Sequence, residues 1–419
     1  MTTPTPRRPI DLIRSIVRTL AVICLLGYTV LMTTDVLLYH LGAKLSFFSP
    51  TQKELLYSHG VFAAFRHPDY RPWLKGFVNE PGRTETTVSV DDTYRAYGVP
   101  MESPPMVQLS AVDSLGWWND KSPSQAKVLF LGDSFCYGAG SGTDNTIYRL
   151  FEVKTGIPDY AACKGGYGLA HYARLLDTLT GDSLGPENRF SGKTVYVLLY
   201  LGNDLSADIL VYRQRQQDEM VGPARHLWLE SIRNLLTYLR ESNALARQEG
   251  GSQTPGQPRN PTLGYYPVHL KAPAPDTAYA FHPFYRTLLN MAWFGPKEEE
   301  ELRAVFAEMA RIARERGLDV RFVVIPTALQ VLYPRIDASR LDKNAPFAKE
   351  APVVVKNFNQ LTAFAVSAAE EAGFPVLDLE PLLVGRDDAA ELYWPTDTHF
   401  TPHGNAVAVD AILKAFPAN

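Results

Sequence analysis

Cysteine is scarce. Three residues, Cys24, Cys136 and Cys163, in 419 are too few for a disulfide scaffold, and no two stand at zinc-ligand spacing. An excess of one charge is also missing. With 41 Lys and Arg against 45 Asp and Glu, the formal net charge is -4, and basic residues cluster only near the N-terminus. No global positive field is present to draw in nucleic acid, which is therefore not an expected partner. No internal repeat is visible, and no Gly-rich stretch has the spacing of a dinucleotide fingerprint or the Gly-Lys-Ser/Thr ending of a phosphate loop. Long apolar runs are absent with one exception.

That exception is Leu20–Leu38, preceded by Arg7, Arg8, Arg14 and Arg18. With its flanks it is long enough to cross a hydrocarbon layer of about 30 Å, and it predicts one transmembrane helix over residues 16–40 after a short segment, 1–15. No small-x-small cleavage site follows, since Tyr39-His40-Leu41 come next, which argues against a cleaved signal peptide. Arginines precede the span and none immediately follows it. The positive-inside rule then places the N-terminus in the cytoplasm and the rest of the chain outside, which in a bacterium is the periplasm. Asp35, costly at mid-membrane, reads as a boundary residue reaching interfacial water.

Residues 46–125 are rich in aromatics, Pro and polar residues and read as an accessory lead-in with a short strand at Thr86–Val90. A regular α/β rhythm fills 126–419. Strands are expected at Lys127–Leu131, Thr194–Leu201, Val320–Ile325 and Pro375–Leu379, each a short apolar run of the kind buried in a parallel sheet. Helical periodicity marks Tyr167–Leu179, Glu298–Arg316 and Val354–Ala372. Strands alternating with helices predict a sheet covered on both sides. An insertion over 208–296 breaks the rhythm with a helical piece, Leu227–Leu245, and a Gly- and Pro-rich loop, Gly250–Pro261, too polar to pack a core. It is expected beside the strand ends, where it would shape access.

Ser134, in Leu131-Gly132-Asp133-Ser134-Phe135, follows directly on a buried strand, at the end where open α/β sheets hold ligands. A serine nucleophile needs a base, an anchor for that base and donors for the developing oxyanion. Asp133-Ser134 would serve equally as the cap of the next helix. The base and anchor are found in Tyr393-Trp-Pro-Thr-Asp397-Thr-His399-Phe-Thr-Pro-His403-Gly404. Asp397 and His399 are two apart, so both can aim to one side and the carboxylate can hold the imidazole in the tautomer a base needs. His403 competes for that role, but its place before Gly404 suggests a surface or capping position. Asp397, His399 and His403 also have metal-ligand character, yet no other cluster has ligand spacing and a metal would leave the serine loop unexplained. Asn203, in Gly202-Asn203-Asp204, ends the second strong strand, where its amide could reach an oxyanion. Gly165-Gly166-Tyr167-Gly168 precedes a helix and could supply backbone N–H donors. Cys136 and Cys163 flank these two loops; nearness alone does not secure disulfide geometry, so a bond between them is left open.

The order Gly-Asp-Ser-Phe, Gly-Gly-Tyr-Gly, Gly-Asn-Asp and Asp-x-His, spread over 127–416, resembles the SGNH (GDSL-like) hydrolase family. The resemblance implies a flavodoxin-like three-layer αβα sandwich with a parallel sheet. It also implies Ser134 as nucleophile, His399 as base, Asp397 as its partner, and an oxyanion hole from the backbone N–H of Ser134 and Gly166 with the Asn203 amide. Neither metal nor cofactor is expected. The short Asp397-Thr-His399 spacing, in place of Asp-x-x-His, is similar to the alginate O-acetyltransferase-like branch, as is Val323–Pro326 through Val331–Pro334. In that branch, however, the Asp-x-His pair precedes the serine. The second block also departs from the family, its usual leading Asn being replaced near Ala161. Hydrolysis and acyl transfer share an acyl-serine intermediate. A serine esterase acting on O-acetyl or similar esters of a cell-envelope glycan, or on a small ester, is the leading expectation, and an O-acyltransferase served by a membrane acyl-donor protein is the alternative. A non-catalytic glycan-binding or assembly protein that keeps the fold is the expectation of another class.

Overall fold

The computed structural model describes residues 9–41, 61, 70–71, 76–79, 81–82, 84–89, 106–205, 224–237, 239, 265–272, 274, 276–281, 288–289, 291, 294–341 and 345–417. The chain divides into two compact units, one of residues 1–67 with 213–251 and one of 68–212 with 252–419.

The larger unit is built on five strands, β1 (Val128–Gly132), β2 (Asp159–Cys163), β3 (Thr194–Tyr200), β4 (Asp319–Ile325) and β5 (Val376–Asp378). All neighbours run parallel, in the order β5-β4-β3-β1-β2. Read from the other edge this is 2-1-3-4-5, the doubly wound flavodoxin-like order, whose direction of winding reverses between β1 and β3. Every residue of β1 is buried, as are the last six of β3, which is why these strands are apolar throughout rather than alternating. The crossover helices include α3 (Ile147–Thr155) and α4 (Leu169–Thr180), with α5 (Pro296–Arg316), α7 (Pro346–Glu371) and the last helix, α8 (Pro402–Ala415). Helix α4 packs on α5, and α3 on α8. Right-handed crossovers that step to one side through α3 and back through α4 put these helices on opposite faces of the sheet. The expected parallel sheet between helical layers is what the chain forms.

Four of the five strands stand where the apolar runs placed them. The edge strand β2 was not anticipated, because Asp-Tyr-Ala-Ala-Cys has no β-branched residue to announce it. Its outer edge is occupied by a side chain: Asn119 accepts from the Ala161 N–H through Oδ1 (2.9 Å) and donates to the Ala161 C=O through Nδ2 (3.0 Å). An amide thus mimics a strand partner at the open edge.

At the start of β2, Asp159 is buried, and that burial, with the Glu152 carboxylate nearby, pushes its pKa up to about 8. A folded pKa above the unfolded one gives stability that is full below about pH 4 and is lost as pH rises through about 8. Asp159→Asn is therefore expected to raise stability at pH 8 by on the order of 5 kcal/mol while changing little near pH 4. Thermal unfolding of both proteins across that range checks it.

The insertion adds an antiparallel pair, Tyr265–Val268 with Tyr279–Phe281. Its Ala280 N–H donates to the Pro395 C=O (2.7 Å) and the Tyr279 hydroxyl to the Ala390 C=O (2.8 Å), so the insertion braces the stretch just before Asp397. The Gly250–Pro261 loop lies outside the described residues. In the lead-in, Thr84–Ser89 forms a strand paired with Met106–Ala111.

In the smaller unit, α1 (Pro9–Leu41) contains an apolar stretch, Ile16–Leu41, long enough to cross a membrane. Asp35 does not behave as the water-reaching boundary residue expected of it. It is fully buried, with Oδ2 2.7 Å from His226 Nδ1 and Oδ1 accepting the Ile232 N–H at 2.9 Å. The expected helix Leu227–Leu245 is, over its described part, broken: Ala224–Leu227 is helical, 228–229 is a turn with Leu229 at φ 49°, and helix resumes at 230–237.

Candidate active site

Ser134 opens a four-residue helix, α2 (Ser134–Tyr137), immediately after β1. The sharp turn between them depends on Gly132, where a Cβ would sit 2.5 Å from the Cys136 Cβ, a distance no side chain tolerates. Capping falls to Asp133, whose Oδ1 accepts the Phe135 N–H at 2.9 Å. The rival reading of this pair as a cap therefore holds for Asp133 alone, and the Ser134 hydroxyl is directed elsewhere.

It is directed at His399. Ser134 Oγ lies 2.8 Å from His399 Nε2, and His399 Nδ1 lies 2.5 Å from Asp397 Oδ1. A buried carboxylate facing Nδ1 accepts a hydrogen bond from that nitrogen, which keeps the proton on Nδ1 and leaves Nε2 as the acceptor for the serine hydroxyl. Asp397 Oδ1 also accepts the backbone N–H of His399 (2.9 Å), so one oxygen fixes both ends of the histidine. Asp397 and His399 are buried, and the Phe135 ring packs against the imidazole at 5.1 Å between centroids. The loop that carries the pair is closed by a bridge between Tyr393 and Phe400 and held down by two side-chain donors. These are the Tyr393 hydroxyl to the Pro326 C=O (2.8 Å) and Trp394 Nε1 to the Gly140 C=O (3.1 Å).

His403 is not part of this arrangement. Its Nε2 is 2.7 Å from Asp388 Oδ2, and Arg386 holds the same carboxylate with two hydrogen bonds of 2.7 Å. The Arg386 bonds, with His403, keep the Asp388 pKa well below the usual carboxylate range. Nor does His403 cap α8; Thr401 does, accepting the Gly404 N–H. His403→Ala is expected to leave turnover within about twofold of the parent, whereas His399→Ala abolishes it. Parallel p-nitrophenyl acetate assays compare the two.

The glycine loop and Asn203 also end near the serine strand. A Cβ on Gly165 would sit 3.7 Å from the Ser134 Cβ, whereas one on Gly166, at φ +84°, would meet nothing within 4 Å. The glycine loop thus passes close beside the serine turn at Gly165. The loop is seated by His171, which accepts the Gly168 N–H at Nδ1 (3.2 Å) and stacks on Tyr167 at 5.0 Å. Burial drives the His171 pKa down to about 3, so the ring stays neutral and keeps that acceptor. Asn203 follows β3, beside β1 in the sheet. Next to it Asp204 Oδ2 accepts from the Tyr200 N–H (2.8 Å) and the Tyr172 hydroxyl (2.7 Å), which fixes the turn.

One neighbour of Ser134 was not anticipated, and the disulfide that the sequence left open is formed. Asp133 is fully buried beside Ser134 and accepts from its hydroxyl at Oδ2 (3.1 Å), and burial raises its pKa. A disulfide joins Cys136 to Cys163, with Cα atoms 5.6 Å apart, and so ties the helix that carries Ser134 to the strand that leads into the glycine loop. Among the described residues no group of three or more His, Cys, Asp or Glu is placed to hold a metal ion.

Residues 294–419 match the family described as the SGNH hydrolase-like domain of the acetyltransferase AlgX. Over that stretch the chain is similar to this family, and its five-stranded parallel sheet between helices is an SGNH-like fold. The matched stretch takes in Asp397 and His399, and Ser134 lies outside it. No curated protein matches the chain by sequence. Solved structures similar to it include a member of the lipolytic G-D-S-L family from Veillonella parvula, 10% identical with a TM-score of 0.33, covering 70% of this chain and 98% of that one. An extracellular lipase from Streptomyces rimosus is 13% identical with a TM-score of 0.37, covering 69% and 99%. An acetyl xylan esterase is 10% identical with a TM-score of 0.33, covering 69% and 98%. In this fold Ser134 stands at the point where the winding of the sheet reverses, the position at which a doubly wound sheet opens a crevice for a ligand.

Proposed function

We propose that the protein is a serine esterase that cleaves acyl esters, O-acetyl foremost, of an extracytoplasmic glycan. The observation that carries this reading is the unbroken chain of contacts from Ser134 Oγ through His399 to Asp397. In the first half-reaction His399 Nε2 takes the serine proton as Oγ adds to the acyl carbonyl. The oxyanion is received by backbone N–H groups of the Ser134 turn and of the Gly165-Gly166 loop together with the Asn203 amide. Collapse expels the sugar alkoxide, which leaves as the alcohol with the proton from His399, and the acyl group stays on Ser134. In the second half-reaction water gives its proton to His399 and adds to the acyl-serine; collapse breaks the acyl–Oγ bond, returns that proton to Ser134 Oγ and releases the carboxylic acid.

A second reading, O-acetyl transfer to a polysaccharide, is favoured by the AlgX match over 294–419. It differs only in that an acceptor hydroxyl replaces water in the second step. The apolar helix α1 would anchor the enzyme with its N-terminus in the cytoplasm and its catalytic unit outside, and a disulfide inside the catalytic unit is at home in such an oxidising compartment. A membrane protein handing over acetyl groups fits the transfer reading.

The test is mass spectrometry of the protein quenched during turnover of p-nitrophenyl acetate. An acetyl group on the peptide that contains Ser134 is expected, and its absence under conditions of steady turnover would overturn the assignment. Adding an acetyl donor and a polysaccharide acceptor then separates the two readings, since the esterase releases acetate and leaves the acceptor unmodified.

A further inference from the structure

The break in the 224–237 segment leaves two backbone groups without their helical partners. In an unbroken helix the Leu227 C=O would pair with the Ser231 N–H, and the Ile232 N–H with the Trp228 C=O. Leu229, at φ 49°, turns the chain out of that register. Both groups are taken up by side chains of α1: the Tyr28 hydroxyl donates to the Leu227 C=O (2.5 Å), and Asp35 Oδ1 accepts the Ile232 N–H (2.9 Å). His226, packed between the rings of Tyr39 and His40, bonds the other oxygen of Asp35. A kinked segment with its freed backbone groups satisfied by a neighbouring helix is the form that broken helices take in lipid, where water is not there to do it.

The depth of the contact follows from α1 alone. A hydrocarbon layer of about 30 Å takes up about 20 helical residues, and every 20-residue stretch of Ile16–Leu41 includes Tyr28. The nearest that Tyr28 comes to the outer boundary is the seven residues between it and Asp35, about 10 Å along the axis, further than a tyrosine side chain reaches. The segment bonded to Tyr28 and Asp35 therefore lies alongside the span and does not simply cross its outer end. Its outward side chains fit that medium: Leu227, Trp228, Leu236 and Leu239 are 54%, 72%, 49% and 44% exposed. Their exposed apolar area is stabilised on leaving water, and in water the four together would be an exposed apolar patch.

We propose that 224–237 is a second membrane-embedded element, a re-entrant segment lying in the outer leaflet against α1, pinned there by Tyr28 and Asp35, with Leu227, Trp228, Leu236 and, just beyond it, Leu239 in contact with lipid. This rests on the reading of α1 as a membrane span. Asp35 is then the group that lets a broken helix enter the bilayer.

The experiment uses the full chain in phosphatidylcholine nanodiscs with a nitroxide label, and compares its collisions with oxygen, which concentrates in lipid, and with a water-soluble nickel chelate. One label goes on Cys24, the free cysteine, and others on Trp228→Cys and Leu236→Cys in a Cys24→Ser background. Both new sites are exposed, so the fold is undisturbed. An oxygen-to-nickel ratio above one is expected at all three sites, and adding Asp35→Ala is expected to bring the ratio at 228 below one while the label on Cys24 stays in lipid. A ratio above one at Cys24 but below one at 228 and 236 would overturn the proposal and leave the span intact. Labels at 228 and 236 shielded from both reagents would also overturn it, since protein would then cover the segment. A ratio below one at Cys24 would remove the span itself, and the proposal with it.

Discussion

Ser134→Ala is expected to lower kcat for p-nitrophenyl acetate by roughly 10⁴-fold or more with little change in the unfolding midpoint. The hydroxyl makes no contact that the fold needs, because Asp133 supplies the helix cap and the turn is shaped by Gly132. Its contact of 2.8 Å is with His399, so its removal deletes the nucleophile and leaves the base and its carboxylate in place. Asp397→Asn should approach the same loss, about 10⁴-fold, by another route. An amide oxygen can still accept the His399 backbone N–H, so the loop is kept, but the neutral amide no longer stabilises the imidazolium that forms as the serine proton is taken. The two variants together separate loss of the nucleophile from loss of the base. An unchanged rate in Ser134→Ala would remove the serine mechanism altogether.

The second large effect concerns stability. Opening the disulfide in Cys136→Ser/Cys163→Ser releases a loop with a sequence separation of 27, and a loop of that size is worth about 3–4 kcal/mol through the entropy of the unfolded chain. For a catalytic unit of this size that corresponds to a fall in Tm on the order of 10 °C. Activity should decline as well, at temperatures where the protein is still folded. The bond links α2, whose first residue is Ser134, to the last residue of β2, which leads into the Gly165-Gly166 loop. Cutting it loosens nucleophile and proposed oxyanion donors relative to each other, and positional errors of that kind are costly in rate. Thermal unfolding and steady-state kinetics of the double variant check the two parts. A Tm within a degree of the parent would show that the packing of both buried cysteines is sufficient without the bond.

What the sequence revealed, and what it hid, follows from where each kind of information resides. Strands β1, β3 and β4 were legible because burial on both faces demands uninterrupted apolar runs, and no helix of comparable length looks like Thr194–Tyr200. Strand β2 was not, since Tyr160 is its only large apolar residue and its edge is completed by Asn119, 42 positions away in the chain. Ser134, Asp397 and His399 were legible as a set because their chemistry requires three residue types in loops at strand ends. The exclusion of His403 came from Asp388 and Arg386, and nothing in the local motif points to either. The pairing of Cys136 with Cys163 depends on the register that places Gly132 beside Cys163. Asp35 was misjudged because its partners, His226 and Ile232, return from an insertion that follows three strands of the sheet.

The shortness of the Asp397-Thr-His399 spacing has a structural consequence of its own. Since one carboxylate oxygen grips both the main chain and the ring of the same histidine, acid and base form a rigid cassette closed within three residues. The sheet does not have to bring a third group from afar; it has a single separation to set, the one between Ser134 and His399. A Ser-His-Asp set with only one long-range coordinate places few demands on the order of its members along a chain. A loop of this kind would work as well upstream of the nucleophile as downstream, provided that it arrives at the same strand ends.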